Sequence, residues 1–282
     1  MNTLRMADVV RTIHQLPSLP VVVAKLLTSL DQDGVNIEVL ARDVALDQAL
    51  TARTLQLANS TFYGMARQVA TIREAIALLG LRTVRNLVNT IALIGTFSGS
   101  AHQAIDVRPF WRHAIAVAIC ARELATRMKL NPDQSYTAGL VHDIGRLVLA
   151  TQFAQAYEAT MVYRAQHQCS LTEAEEAVLG LDHAAVGHAL TQHWKFPAVL
   201  QQAVAVHHAP VMQDAHALPL VVCAADAIAH ALDLSLCLDD LVPPLPPGLW
   251  QQLGLDDEAL LSVFENTEKQ FTSVNLALFP ER

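Results

Sequence analysis

The chain has 282 residues and a mass of 30.7 kDa, with 52% apolar and 16% charged residues, which fits a folded, helix-rich globular protein and excludes general disorder. A net charge of -8, a pI near 5.8 and the lack of any Lys/Arg run disfavour direct binding to a nucleic-acid backbone, which needs a clustered basic face. No stretch reaches membrane-span length without a charged or polar break and residues 1–8 carry no apolar signal segment, so the expected location is the cytoplasm, away from membranes.

From the N-terminus, Leu16-Pro17-Ser18-Leu19-Pro20 predicts a turn between two helices, with Pro20 suited to a first helical turn and Ser18 close to an N-cap. Asp31-Gln32-Asp33-Gly34 breaks the pattern. Ile37, Leu40, Ala41 and Val44 resume helical spacing, and a further helix follows Asp47 and stops near residues 59–64, a packed stop with aromatic anchors. Thr71 and Glu74 have capping-box spacing ahead of Ile72, Ala75, Ile76 and Leu79, and after Gly80 another helical pattern covers residues 84–97. Arg53, Arg82 and Arg85 read as separate surface salt bridges in preference to one anion site. The small, polar stretch at 98–103 marks a boundary. The expected organisation is an N-terminal helical subdomain at 1–100, a core at 101–235 and a C-terminal connector and helix at 236–282.

Phe110-Trp111-Arg112-His113 opens a helix through Ala125 that is apolar on nearly every side and so belongs at the centre of a bundle. Asn131-Pro132-Asp133 closes it. Residues 171–179 predict a helix whose Glu173, Glu175 and Glu176 form a solvated face, and Asp182 is a plausible N-cap for the next one. Phe196-Pro197 turns the chain into 199–208, and an Ala-rich helix at 220–232 contains Asp226. Beyond the rigid Pro243-Pro244-Leu245-Pro246-Pro247, a last helix runs from Asp256 to about Phe271. The fold class is all-α. The dispersed Cys120, Cys169, Cys223 and Cys237 form no C-x-x-C pair and read as buried, reduced thiols.

The unusual stretch is residues 138–147, where His142 and Asp143 stand side by side in an apolar helical run. Burying an imidazole and a carboxylate among Leu, Val and Ile is costly unless both are hydrogen-bonded, paired or bound to metal. Partners are available in His113, His183, His207, His208 and Asp226, each on or beside a helix with apolar flanks. Such a mixed set suits one or two divalent ions of the Fe, Mn or Zn type. A single helical His is more often an ordinary core or surface side chain; the order and spacing of the set are what point to a site. His188, His193, His216 and His230 fall outside the pattern and are not expected to be ligands.

That order (a His, then His-Asp, a His, His-His and an Asp in an Ala-rich helix) resembles the HD superfamily of metal-dependent phosphohydrolases and, within it, the bacterial HDOD family, related to the HD-GYP phosphodiesterases. The likeness extends to the Leu16–Pro20 motif, to Leu55-Gln56-Leu57-Ala58-Asn59-Ser60-Thr61-Phe62-Tyr63-Gly64, to Ala75-Ile76-Ala77-Leu78-Leu79-Gly80-Leu81, and to Asp182-His183-Ala184-Ala185-Val186-Gly187. The resemblance implies an HD-type helical core preceded by a helical subdomain. It implies His113, His142, Asp143, His183, His207, His208 and Asp226 as metal ligands, with Asp143 bridging and, in an active enzyme, catalytic. Arg146 stands where the active relatives have Lys and would face substrate; Pro109 stands where some have a further acidic ligand. After His207-His208 come Ala209-Pro210 instead of an acidic residue, and no Gly-Tyr-Pro follows. The implied function is a regulatory module working with a signalling protein partner, the alternative a phosphohydrolase acting on a phosphate ester or nucleotide.

Overall fold

The computed structural model describes residues 3–19, 21–28, 37–59, 68–97, 107–210, 217–236 and 241–279. The predicted features at Pro20, Asp31 to Gly34, residues 60–64, the 98–103 boundary, His216 and Cys237 lie outside them. Among the described residues every regular element is a helix, and none is long and apolar enough to cross a membrane. The all-α expectation holds.

Among the described residues, six helices precede the centre: α1 (Met6–Ile13), α2 (Val21–Thr28), α3 (Ile37–Ala45), α4 (Gln48–Ala58), α5 (Ile72–Leu79) and α6 (Leu81–Phe97). Asp47 caps α4 by accepting from the Leu50 N–H at 2.9 Å, and the Thr71 hydroxyl caps α5 by accepting from the Glu74 N–H at 3.1 Å. The Glu74 carboxylate reaches the Ala70 N–H instead of that of Thr71, one residue beyond an ideal capping box. Asn59 ends α4 and clamps the returning chain, its amide group exchanging two hydrogen bonds with the Val69 backbone.

The centre is α7 (Val107–Arg127), whose apolar residues from Ala114 to Ala121 are at most 1% exposed, as a helix without a polar face must be. Around it lie α8 (Pro132–Val141), α14 (Leu218–Ala231) and α16 (Asp257–Leu278), with α9 (Ile144–Gln152), α12 (His183–His193) and α13 (Ala198–Val206) forming the next layer. α10 (Ala154–His167) and α11 (Leu171–Leu179) pack as a pair beside α9, and α15 (Leu249–Leu253) follows the proline segment. The last helix runs to Leu278, seven residues past the expected end at Phe271, because no Gly or Pro interrupts it before Pro280.

Two close approaches set the geometry. A Cβ on Gly139 would lie 2.9 Å from the Ala118 backbone, which brings α8 directly against α7. A Cβ on Gly145 would meet the His183 carbonyl and, at 2.6 Å, the Gly187 nitrogen, so α9 and α12 touch backbone to backbone. The N-terminal helices join the core through a buried ion pair between Arg85 on α6 and Asp133 in the first turn of α8, and through Thr90 to the Tyr136 hydroxyl at 2.9 Å. Arg82 also approaches Asp133, at 3.5 Å. The expectation of separate surface bridges is therefore corrected: Arg82 and Arg85 share one carboxylate, and the Arg85 pair is buried. Arg112 on α7 donates to the carbonyls of Leu234 and Ser235, at 3.0 and 3.2 Å, and lies over the Phe271 ring of α16.

Candidate metal centre

Five pieces of chain deliver side chains to one buried crevice. His113 comes from the second turn of α7. His142 and Asp143 do not lie within a continuous helix, contrary to the sequence expectation. α8 stops at Val141 and α9 begins at Ile144, so the pair occupies the joint between them. The Gly145 contact with α12 fixes the direction in which α9 leaves, and Asp143, although in the N-cap position of α9, makes no side-chain capping bond. Its carboxylate is left for the crevice. His183 is the first residue of α12, capped by Asp182 as predicted, with the Ala185 N–H donating at 2.8 Å. His207 and His208 form the turn after α13, and Asp226 comes from α14.

All seven expected ligands are brought together, and Arg146 sits among them. The Asp143 Oδ1 atom is 3.0 Å from His183 Nε2, 3.5 Å from His207 Nε2 and 3.6 Å from His142 Nε2, and His208 Nε2 lies 2.8 Å from His183 Nε2. Across the crevice, Asp226 Oδ1 is 2.9 Å from His113 Nε2 and 3.7 Å from His142 Nε2. The backbone fixes the tautomers, because a carbonyl can only accept: His142 Nδ1 donates to Gly139 at 2.7 Å and His207 Nδ1 to Val204 at 2.8 Å. The Nε2 atoms of His113, His142 and His207 and the Asp226 Oδ1 are buried without a hydrogen-bond partner. An orphaned buried polar atom costs about 1–3 kcal/mol, so several converging in one place fit a bound cation as their common partner. Among the described residues, Asp143, His183, His207 and His208 form one group with ligand atoms within 4.8 Å of one another; His113, His142 and Asp143 form another. The donor set of imidazoles and carboxylates fits a divalent transition metal.

Two members escaped the sequence reading. Glu175, expected on a solvated face, is fully buried and accepts from both the His183 N–H, at 2.8 Å, and the His183 Nδ1–H, at 2.6 Å. It orients the imidazole as outer-shell carboxylates do around metals. Its spacing from Leu171 and Leu179, four residues either way, places it on the apolar face of α11 and was the available signal. His230, set aside as outside the pattern, lies 3.2 Å from Asp226 Oδ1. It follows Asp226 by four residues on α14, hence on the same face. By contrast, His188 bonds the Gln201 carbonyl and His193 packs on the His14 ring, both away from the crevice.

The electrostatics follow from three carboxylates in an apolar surround. Burial opposes ionisation of Asp143, but His142, Arg146 and His183 outweigh it and hold the acid well below its usual range; His113, His142 and His230 do the same for Asp226. Burial also opposes charge on His183, yet Glu175 and Asp143 raise its pKa well above 6.5, and Asp143 and Asp226 raise that of His142. His113 and His207 are pushed down by burial, and His208 falls to about 2 through burial and its neighbours His207 and His183. Arg146 donates to Asp143 Oδ2 at 2.7 Å; burial opposes its charge, and Tyr157 and Asp143 keep it firmly protonated.

The crevice opens into a cavity of about 520 Å³ lined also by Arg146, Arg164, Ser170 and residues 241–244. Cys169 lines it and is only partly buried, whereas Cys120 and Cys223 are the buried free thiols expected. Arg53 lines a separate cavity, together with Trp111 and Phe97.

The HDOD domain model matches residues 16–210. An HDOD domain protein of unknown function from Geobacter sulfurreducens has a TM-score of 0.81 at 25% identity, covering 97% of both chains. A candidate phosphohydrolase from Shewanella amazonensis has a TM-score of 0.75 at 27% identity, over 96% of this chain and 98% of the other. An uncharacterized protein of Treponema pallidum (strain Nichols) is 25% identical over 209 residues, and the match takes in 72% of this chain but 39% of that relative, so the chain spans about two fifths of its length. With the helical core, the His-Asp joint and the family match in agreement, the chain belongs to the HDOD family.

Proposed function

We propose that this chain is a bacterial signal-transduction module of the cytoplasm, in which a metal-holding crevice stabilises one arrangement of the helices and the helical surface engages a signalling protein partner. The observation that carries this reading is the Asp143–Arg146 contact. One carboxylate oxygen faces the histidines while the other is held at 2.7 Å by a permanently charged guanidinium. A carboxylate tied in this way is suited to holding a cation in place and poorly suited to the shifts in coordination that accompany turnover. When bound, Fe, Mn or Zn ions would lower the pKa of water and neutralise phosphate oxygens. His113, His142, Asp143, His183, His207, His208 and Asp226 would hold them, and Glu175 would keep His183 aligned.

A second reading, a phosphohydrolase acting on a phosphate ester or nucleotide, is favoured by the cavity of about 520 Å³ that reaches Asp143, His183 and Asp226 and carries Arg146 on its wall. The name of the Shewanella amazonensis neighbour points the same way. In that case Asp143 would act at the centre of the reaction and Arg146 would meet a phosphate oxygen.

The two readings separate in one experiment. Metal content of protein purified without chelator is measured together with hydrolysis of generic phosphodiesters and cyclic dinucleotides, for wild type and for His142→Ala/Asp143→Ala. Bound metal without turnover is the expected result. Turnover that disappears in the double variant would sink the regulatory-only reading, and the absence of both metal and turnover after Fe, Mn and Zn supplementation would end both readings of the crevice.

A further inference from the structure

We propose that His230 is a metal ligand, completing with His113 and Asp226 a cation locus distinct from that of Asp143, His183, His207 and His208. The inference rests on the crevice being a metal site and concerns which residues divide it. Asp226 Oδ1 is flanked by His113 Nε2 at 2.9 Å and His230 Nε2 at 3.2 Å. The two rings are 4.4 Å apart between centroids and tilted by 39°, and the three residues form a group whose ligand atoms all lie within 4.8 Å of one another. His113 and Asp226 are 3% and 4% exposed, yet neither nitrogen of His113 nor Asp226 Oδ1 has a hydrogen-bond partner. Two imidazole nitrogens this close to one buried carboxylate oxygen are spaced as ligands around a shared cation would be.

The separations fit that point being a cation. With metal–nitrogen bonds near 2.0–2.1 Å, neighbouring ligand atoms are roughly 3.0 Å apart in octahedral and 3.4 Å apart in tetrahedral coordination. Both Asp226 distances fall in or beside this range. His142 Nε2, at 3.6 Å from Asp143 Oδ1 and 3.7 Å from Asp226 Oδ1, stands between the two loci. Two imidazoles to one carboxylate favour a transition metal over Mg or Ca, which prefer all-oxygen shells. With a side chain 13% exposed on the cavity wall, His230 can be replaced without opening the core.

The test uses the full chain equilibrated with Zn²⁺, its metal content measured by mass spectrometry, and Co²⁺ titrations followed by visible absorption. Wild type is expected to hold two ions. His230→Ala should lose one, its second-step affinity falling by more than about 100-fold, beyond the 10–100-fold cost of losing an outer-shell partner. His208→Ala should weaken the other step, His230→Asp should recover part of the lost one, and His188→Ala should retain both, with circular dichroism confirming the fold throughout. Two ions bound at unchanged affinity in His230→Ala would overturn the assignment, as would a single ion weakened equally by His230→Ala and His208→Ala. Wild type binding no ion at all would instead refute the metal reading of the crevice.

Discussion

Replacing Gly145 by Ala tests the link between helix packing and the crevice. The added Cβ would lie 2.6 Å from the Gly187 nitrogen, 2.9 Å from the His183 carbonyl carbon and closer still to the His183 carbonyl oxygen, all of them backbone atoms with no rotamer to change. Restoring an ordinary contact of 3.4 Å to Gly187 alone requires α9 and α12 to part by about 0.8 Å. Overpacking of this kind costs typically 1–3 kcal/mol, and a rigid backbone neighbour places it near about 3 kcal/mol. For a chain of this size that lowers the melting temperature by roughly 6–12 °C. The same displacement carries Asp143 away from His183, now 3.0 Å apart, so metal affinity should fall with stability. Thermal melts and chelator-competition titrations of Gly145→Ala are read against Gly95→Ala. Gly95 lies on α6 with nothing within 4 Å of its added Cβ, and Ala there should be neutral or stabilise by up to about 1 kcal/mol. If Gly145→Ala melts with wild type and binds metal as tightly, the backbone contact does not set the crevice.

Glu175→Ala should strip His183 of its orienting acceptor and leave its N–H groups buried and unpaired, costing about 1–3 kcal/mol in urea denaturation and 10–100-fold in metal affinity; Glu175→Gln, which keeps a carbonyl acceptor, should cost less, and equal losses in both would refute the orienting role. The pKa shifts give a pH dependence with a definite sign. His142 and His183 have pKa values raised above 6.5, so their charged forms stabilise the metal-free fold below pH 6.5 and that contribution is lost as pH climbs through the raised values. Asp143 and Asp226, depressed from 3.8, contribute above that pH and lose their contribution as pH falls through the lowered values. A cation must displace the histidine protons, so its affinity should rise with pH across the neutral range and its uptake should release protons. Calorimetry in buffers of different ionisation enthalpy counts them, and zero net release at pH 6 would contradict the assignment.

The helices were legible because they rest on local chemistry, and the side chains that meet in the crevice were legible because their order resembles that of a known family. Asp182 caps α12 and the helix at Leu171–Leu179 has its expected bounds, since capping groups and apolar spacing act within a turn or two. The helix break that His142 and Asp143 occupy was not legible. Residues 138–147 contain no proline, and the chain turns there to meet a helix some forty positions later, a demand visible only in the Gly145 contact. Glu175 was misplaced because its acidic neighbours Glu173 and Glu176 suggested a wet face; Glu173 does stay exposed, completing the Ser170 capping box, while Glu175 points inward. His230 was passed over because its neighbour Asp226 matched a known pattern and it did not, although the two share a helix face.

Arg112, the residue before His113, has a bearing on how the crevice could respond to different ions. Its guanidinium is fastened to two carbonyls just beyond α14 and covers Phe271, and α7 itself is closed in by Gly139 behind it. Turning α7 to re-aim His113 would tear all of these contacts at once. His113 is therefore a fixed post. An ion of the wrong radius would have to be accommodated by ligands other than His113, so size discrimination in this protein should not be read from displacement of the long central helix.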